Sequence, residues 1–222
     1  MKRLGGSPGR ARLLPDDASG REAAIEVLRA GGIVAMPTDT VYGVGVALEA
    51  QDGLPRLFAA KDRPLDRAIV LLVAEIEQAG TVGIMSPAAR VLAERFWPGG
   101  LTLVLARAPG ARLPAALTGG APTVGVRVPD HDCPRALALA LGPLPVTSAN
   151  LSGQPDARDA SGVLAQLGSR IDLVLDGGPA RGGIPSTVID CSGELSRVLR
   201  AGAIDRLDLA AALGEAGMPH DL

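Results

Sequence analysis

Four clusters of polar side chains stand at the ends of apolar segments, and each holds residue types able to grip an anion or a small polar molecule. Pro37-Thr-Asp-Thr-Val-Tyr-Gly-Val-Gly45 joins hydroxyls to glycines that permit close backbone approach, a composition that equally suits a tight turn between strands. Lys61-Asp-Arg-Pro64, followed by Arg67, sends three cations from the end of a helix. A helix C-terminus favours each cation by about 0.3–1 kcal/mol, which accounts for them without a ligand. A compact ammonium beside a forked guanidinium is also what a triphosphate needs. Thr147-Ser-Ala-Asn-Leu-Ser-Gly153 directly follows a strand, and its hydroxyls and amide suit phosphate, ribose or base as well as a helix cap. The fourth cluster joins Thr123-Val-Gly-Val-Arg-Val-Pro129 to Ser186-Thr-Val-Ile-Asp190 and Arg200-Ala-Gly202. An arginine inside an apolar strand needs an anionic partner, so Arg127 should face Asp130 or a ligand.

Several common chemistries are missing. The sequence has no G-x-x-x-x-G-K-[ST], and Gly43-Val-Gly45 lacks the third glycine of a dinucleotide loop. His131 and His220 lie in unrelated contexts with no H-E-x-x-H, so no metal site is expected. Cys133 and Cys191 lack disulfide or zinc spacing and read as reduced, buried thiols. A net charge of −2 gives no global attraction for nucleic acid, so any anion site must be local.

These clusters must be positioned by an aliphatic core, because Trp97, Tyr42, Phe58 and Phe96 are the whole aromatic complement of the 222 residues. At this length roughly 70% of the unfolded chain's surface can be buried in one domain. Ser19-Gly-Arg-Glu22 has capping-box spacing for a helix ended by Gly31-Gly32, and Ile33 to Met36 is a short strand stopped by Pro37. A helix is expected from Asp52 to Lys61, and another opening at Ser86-Pro87. Ala68 to Val73, Leu101 to Ala106, Thr123 to Val128 and Leu144 to Thr147 read as strands, with a helix over Cys133 to Leu141. Ala160 to Leu167 reads as a helix, then Ile171 to Leu175, Ser186 to Cys191 and Arg197 to Leu199 as strands. This alternation predicts a single α/β domain with a twisted mixed sheet, helices packed on it and a concave ligand cavity. Residues 1–18 are expected to be a loose tail, 19–214 the domain and 215–222 a C-terminal tail. No segment resembles a signal peptide or a span of roughly 18 apolar residues, so a cytoplasmic location away from membranes is expected.

Together, Pro37-Thr-Asp-Thr-Val-Tyr-Gly, Lys61-x-Arg63-Pro64, Ser148-Ala-Asn150 and Ser186-Thr-Val-Ile-Asp190 resemble the YrdC-type family of threonylcarbamoyl-AMP synthases, the bacterial TsaC kind. Phe96-Trp-Pro-Gly-Gly-Leu-Thr and Gly125-Val-Arg-Val-Pro lie between them in the family's order, and the match runs from about Ile25 to Ile204. The resemblance implies an electropositive cavity on a twisted α/β sheet. It assigns the phosphates of ATP to Lys61, Arg63 and Arg67, with Lys61 and Arg63 as catalytic groups. Thr123, Ser148, Asn150, Asp156 and Arg200 would complete the ATP site. Thr40, Arg127 and Ser186 would bind L-threonine, Arg127 through the carboxylate. Leu72 stands where the family often has a histidine that touches threonine, and the chain resembles the short form without a further C-terminal domain.

The implied reaction captures bicarbonate on the threonine amine and transfers the carbamate to the α-phosphorus of ATP, expelling pyrophosphate, with Mg²⁺ accompanying ATP. The adenylate would pass to a downstream threonylcarbamoyl transferase machinery for tRNA modification, and tRNA itself would bind weakly. Two rivals stand beside this reading: a non-catalytic RNA-binding paralogue, and a carbamoyl-adenylate domain of hydrogenase maturation.

Overall fold

A computed structural model describes residues 10–222. Their first elements are β1 (Arg12–Pro15), α1 (Ala18–Arg29), β2 (Val34–Met36), β3 (Gly43–Gly45), α2 (Gly53–Ala60), β4 (Val70–Leu72), α3 (Ile76–Ala79) and β5 (Gly83–Ile84). The middle holds α4 (Pro87–Phe96), β6 (Leu101–Arg107), α5 (Ala115–Thr118), β7 (Thr123–Arg127), α6 (Asp132–Leu141) and β8 (Leu144–Ser148). α7 (Ala160–Leu167), β9 (Leu173–Asp176), β10 (Thr187–Asp190), β11 (Ser196–Arg200), α8 (Arg206–Glu215) and β12 (His220–Asp221) complete it.

All strands join one mixed sheet, in the order β1-β9-β2-β3-β8-β4-β7-β6-β10-β11-β12, with β5 beside β6. β4 runs parallel to β7 but antiparallel to β8, and β6 is parallel to β10 but antiparallel to β7. The near-continuous apolar runs follow from burial on both faces. Along one stretch Leu71 and Val73 join the core on one side of the sheet, while Leu72 and Ala74 join the other. Val174 likewise opposes Leu173 and Leu175. The period of two is kept, but neither face asks for polar residues. α1 packs with α6 over one face, and α4 with α8 elsewhere. No described helix is long and apolar enough to cross a membrane.

Local signals placed several ends well. Ser86 caps α4, its Oγ accepting from the Ala89 amide at 3.2 Å with Pro87 at the first turn. At α1 the cap is Asp17 rather than Ser19. Its carboxylate accepts from the Gly20 amide at 2.8 Å and from the Ser19 hydroxyl at 2.9 Å, so a charged acceptor outcompetes the hydroxyl for the helix end. The expected loose tail needs a further correction: residues 1–9 lie outside the described structure, but Arg12–Pro15 adds a parallel edge strand to β9. At the other end His220–Asp221 pairs with β11. Gly43–Gly45 is a strand, which the composition hid because glycine has low strand preference. Here glycine is needed for space: a Cβ at Gly45 would stand 2.5 Å from the Pro145 carbonyl oxygen on β8. α8 was also missing from the sequence-based elements.

Candidate functional site

Three segments that are distant in sequence converge where β4, β7 and β8 lie side by side, and they enclose a cleft of about 200 Å³. Its floor is apolar, formed by Val70, Leu72 and Val146. One wall comes from the β2–β3 connection, with Thr38, Thr40 and Tyr42. The first cluster is therefore a turn joining antiparallel strands that also lines the cleft.

Arg127, at the end of β7, is 5% exposed and spends each part of its guanidinium. Nε donates to the Gly99 carbonyl at 2.8 Å, Nη1 to the Thr40 hydroxyl at 2.8 Å and Nη2 to Asp39 Oδ1 at 2.5 Å. The expected partner Asp130 is exposed, three residues past the strand, whereas Asp39 approaches across the sheet. Burial lowers the Arg127 pKa and Asp39 opposes that shift. Five N–H groups meet three protein acceptors here, so the fork retains donors for an anion.

The opposite wall carries a hydroxyl chain. Ser186 Oγ lies 2.8 Å from Thr102 Oγ1, and Arg200 Nη2 donates to Ser186 Oγ at 3.1 Å and to its carbonyl at 2.7 Å. Both Thr102 and Ser186 are buried. This approach depends on Gly202, where a Cβ would stand 2.3 Å from the Pro185 carbonyl oxygen. Arg63 lines the mouth, donating through Nη2 to the Ala68 carbonyl at 2.8 Å. Burial lowers the pKa values of Arg63 and Arg200; Arg67 adds to the first shift, and Asp156 opposes the second. Arg63, Arg127 and Arg200 line the cleft with one lining carboxylate, Asp156, while Asp39 pairs with Arg127 behind it.

Of the residues singled out from sequence, Thr40, Arg63, Arg127, Ser148, Asp156, Ser186 and Arg200 line the cleft together. Lys61, Arg67, Thr123 and Asn150 do not. Arg67 is exposed, and Thr123 lies at the far end of β7 from Arg127. Asn150 is turned into its own loop, accepting from the Ser148 hydroxyl at 2.6 Å and donating to the Gln154 carbonyl at 2.6 Å. Lys61 is 1% exposed and donates to the carbonyls of Ser148 and Asn150. Thr38, Asp39 and Thr102 were missed as site residues. The signal for Asp39 was present, as a carboxylate inside a hydroxyl-rich connection and an unpaired arginine elsewhere, but nothing local joins positions 88 residues apart. Among the described residues, no three His, Cys, Asp or Glu side chains gather as a metal site.

The mixed-sheet α/β architecture is shared with known proteins. The model of the Sua5/YciO/YrdC family, described as telomere recombination, matches residues 26–202, and the chain belongs to that family. It is 39% identical over 193 residues to the threonylcarbamoyl-AMP synthase of Bacillus subtilis strain 168, covering 86% of this chain and 56% of that protein. The Vibrio vulnificus YJ016 protein of the same name is 36% identical over 188 residues, 83% of this chain and 99% of its own length. The crystal structure of Pyrococcus abyssi Sua5 complexed with L-threonine superposes with a TM-score of 0.85 at 34% identity, over 96% of this chain and 62% of that one. The chain thus spans a little over half the length of the Bacillus relative.

Proposed function

We propose that this chain is a nucleotidyltransferase that forms threonylcarbamoyl-AMP and pyrophosphate from L-threonine, bicarbonate and ATP, to supply threonylcarbamoyladenosine modification of tRNA. The observation that carries the reading is the buried Arg127 fork, set beside the Thr40 and Ser186–Thr102 hydroxyls in the same cleft as Arg63 and Arg200. An amino-acid clamp and a phosphate mouth then share one apolar floor. The threonine-complexed Sua5 structure and the names of the relatives support it.

Arg127 takes the threonine carboxylate through its remaining N–H groups, and the Thr102–Ser186 pair supplies the polar counterpart for the substrate hydroxyl. Bicarbonate gives up its hydroxyl as carbon dioxide forms, and the amine adds to that carbon and loses a proton. Hydroxyl and proton leave as water, and one carbamate oxygen attacks the α-phosphorus. The P–O bond to the β-phosphate breaks with its electron pair, and pyrophosphate leaves. No protein nucleophile takes part, so positioning and charge neutralisation do the catalysis. Arg63 and Arg200 offset charge on the phosphates from the cleft surface. Asp156, a single carboxylate, fits a magnesium ion arriving on the triphosphate rather than an all-protein cage. The RNA-platform rival has no use for the buried hydroxyl set. A cytoplasmic location and hand-over to a transferase partner belong to the same proposal.

The test is pyrophosphate release by purified protein given ATP, bicarbonate and each amino acid in turn. Release that depends jointly on threonine and bicarbonate is expected. Equal release without threonine overturns the reading.

A further inference from the structure

Lysine occurs at only two positions in this chain, 2 and 61; every other cation is arginine, including those at the cleft mouth. Position 61 follows the last residue of α2, where the helix dipole favours a cation in solvent. The side chain nevertheless turns inward, and the residue is 1% exposed. Its ammonium donates to the carbonyls of Ser148 and Asn150, and lies 3.3 Å from Asn150 Oδ1. Three tetrahedrally disposed N–H groups thus meet three oxygens.

The stitch runs in both directions. The Lys61 carbonyl accepts from the Ser152 amide at 2.9 Å, so main chain and side chain of one residue hold both ends of the Ser148–Ser152 turn. Asn150 locks the same turn from within. An arginine cannot replace this, because its planar fork carries five donors and leaves buried N–H groups without acceptors. A phosphate reaching Lys61 would have to strip two carbonyls of their donor, leaving buried acceptors unpaired.

We propose that Lys61 is a positioning residue, a buried ammonium staple that pins the Ser148–Ser152 turn to the end of α2 and so sets Ser148 on the cleft wall, rather than a ligand of the triphosphate. Arg63, two residues on and on the cleft surface, is left as the phosphate contact of that segment. Burial, with Arg63 adding to it and Asp156 opposing, lowers the Lys61 pKa to about 8, in keeping with a desolvated ammonium held by neutral oxygens. The role in catalysis rests on the ATP-dependent reading above, but the staple exists in the free protein and is testable there.

With ¹⁵N-lysine label, only two ammonium signals are possible. The Lys61 signal is expected to be protected from solvent exchange near pH 6.5 without nucleotide, and to stay in place when ATP saturates the protein. A signal that is absent in the free protein and emerges with ATP overturns the proposal. In nucleotide-free Lys61→Met, the Ser152 amide should exchange at least about 10-fold faster than in the parent at unchanged pH and temperature, an effect that removal of a phosphate ligand would not produce. Unchanged exchange there counts against the staple. Lys61→Arg separates the roles once more: a phosphate ligand is rescued by arginine, whereas the staple is not, and ATP affinity should stay about 10- to 100-fold below the parent. If the parent binds no ATP, the functional reading fails while the exchange measurements still decide the staple.

Discussion

Removing the Asp39 carboxylate should destabilise the protein far more than an ordinary surface change. The Asp39–Arg127 pair joins side chains that are 12% and 7% exposed, at 2.5 Å. In Asp39→Ala, Arg127 keeps its bonds to the Gly99 carbonyl and the Thr40 hydroxyl, but its charge is left buried and uncompensated. Breaking a buried pair from one side costs about 3–5 kcal/mol. For a chain of this size each kcal/mol lowers Tm by roughly 2–4 °C, so a loss of about 6–20 °C is expected. Arg127→Met and the double variant complete the cycle, because replacing both charges with apolar groups removes the orphan. The double variant should therefore lose less than the sum of the single losses, by about 2 kcal/mol or more. Urea unfolding followed by circular dichroism measures all four species. Single losses that add to the double loss within about 0.5 kcal/mol would refute the coupling, and with it the account of how Arg127 is aimed.

Arg127→Ala, assayed below its lowered melting temperature, should weaken threonine about 10- to 100-fold while ATP-analogue binding stays near that of the parent. Calorimetry showing the reverse would move the amino-acid pocket elsewhere. The Lys61 pKa, about 8 in the folded protein against an ordinary 10.5, means that the unfolded chain binds more protons between those values. That contribution to stability should therefore rise from about pH 8 to 10.5, with the charging penalty fully present below 8, and Lys61→Met should abolish the rise in urea titrations across this window. Burial raises the pKa of Cys133, and that of Cys191 to about 11, so neither thiol is expected to react with iodoacetamide before unfolding. Changing both to Ser should leave turnover within a fewfold, and a folded but inactive variant would reveal a catalytic thiol. Gly202→Ala must displace the Pro185–Ser186 backbone, since its Cβ would lie 2.3 Å from one carbonyl oxygen and 2.6 Å from the next. Threonine affinity should fall with the fold retained, and unaltered affinity in a binding titration would show that the hydroxyl wall tolerates the shift.

Much of this protein is written locally. The apolar runs from Val70 to Val73 and from Leu173 to Leu175 announce strands covered on both sides, and each alternates its side chains between the two cores as a period of two requires. Ser86-Pro87 marks a helix start through interactions confined to one turn. The anion demand of Arg127 was also legible, because a charge inside an apolar strand cannot stand alone. What the sequence could not supply was the far end of each long-range contact. Asp39 rather than Asp130 answers Arg127 because β2 and β7 belong to one sheet in which the β2–β3 connection bends over the end of β7. Lys61 reads as one more cation at a helix end, and only the tertiary structure turns its ammonium inward. The deciding oxygens belong to residues 87 and 89 positions away, and helix ends, charges and propensities act within a turn or two, whereas the placement of those oxygens is set by how the whole sheet closes.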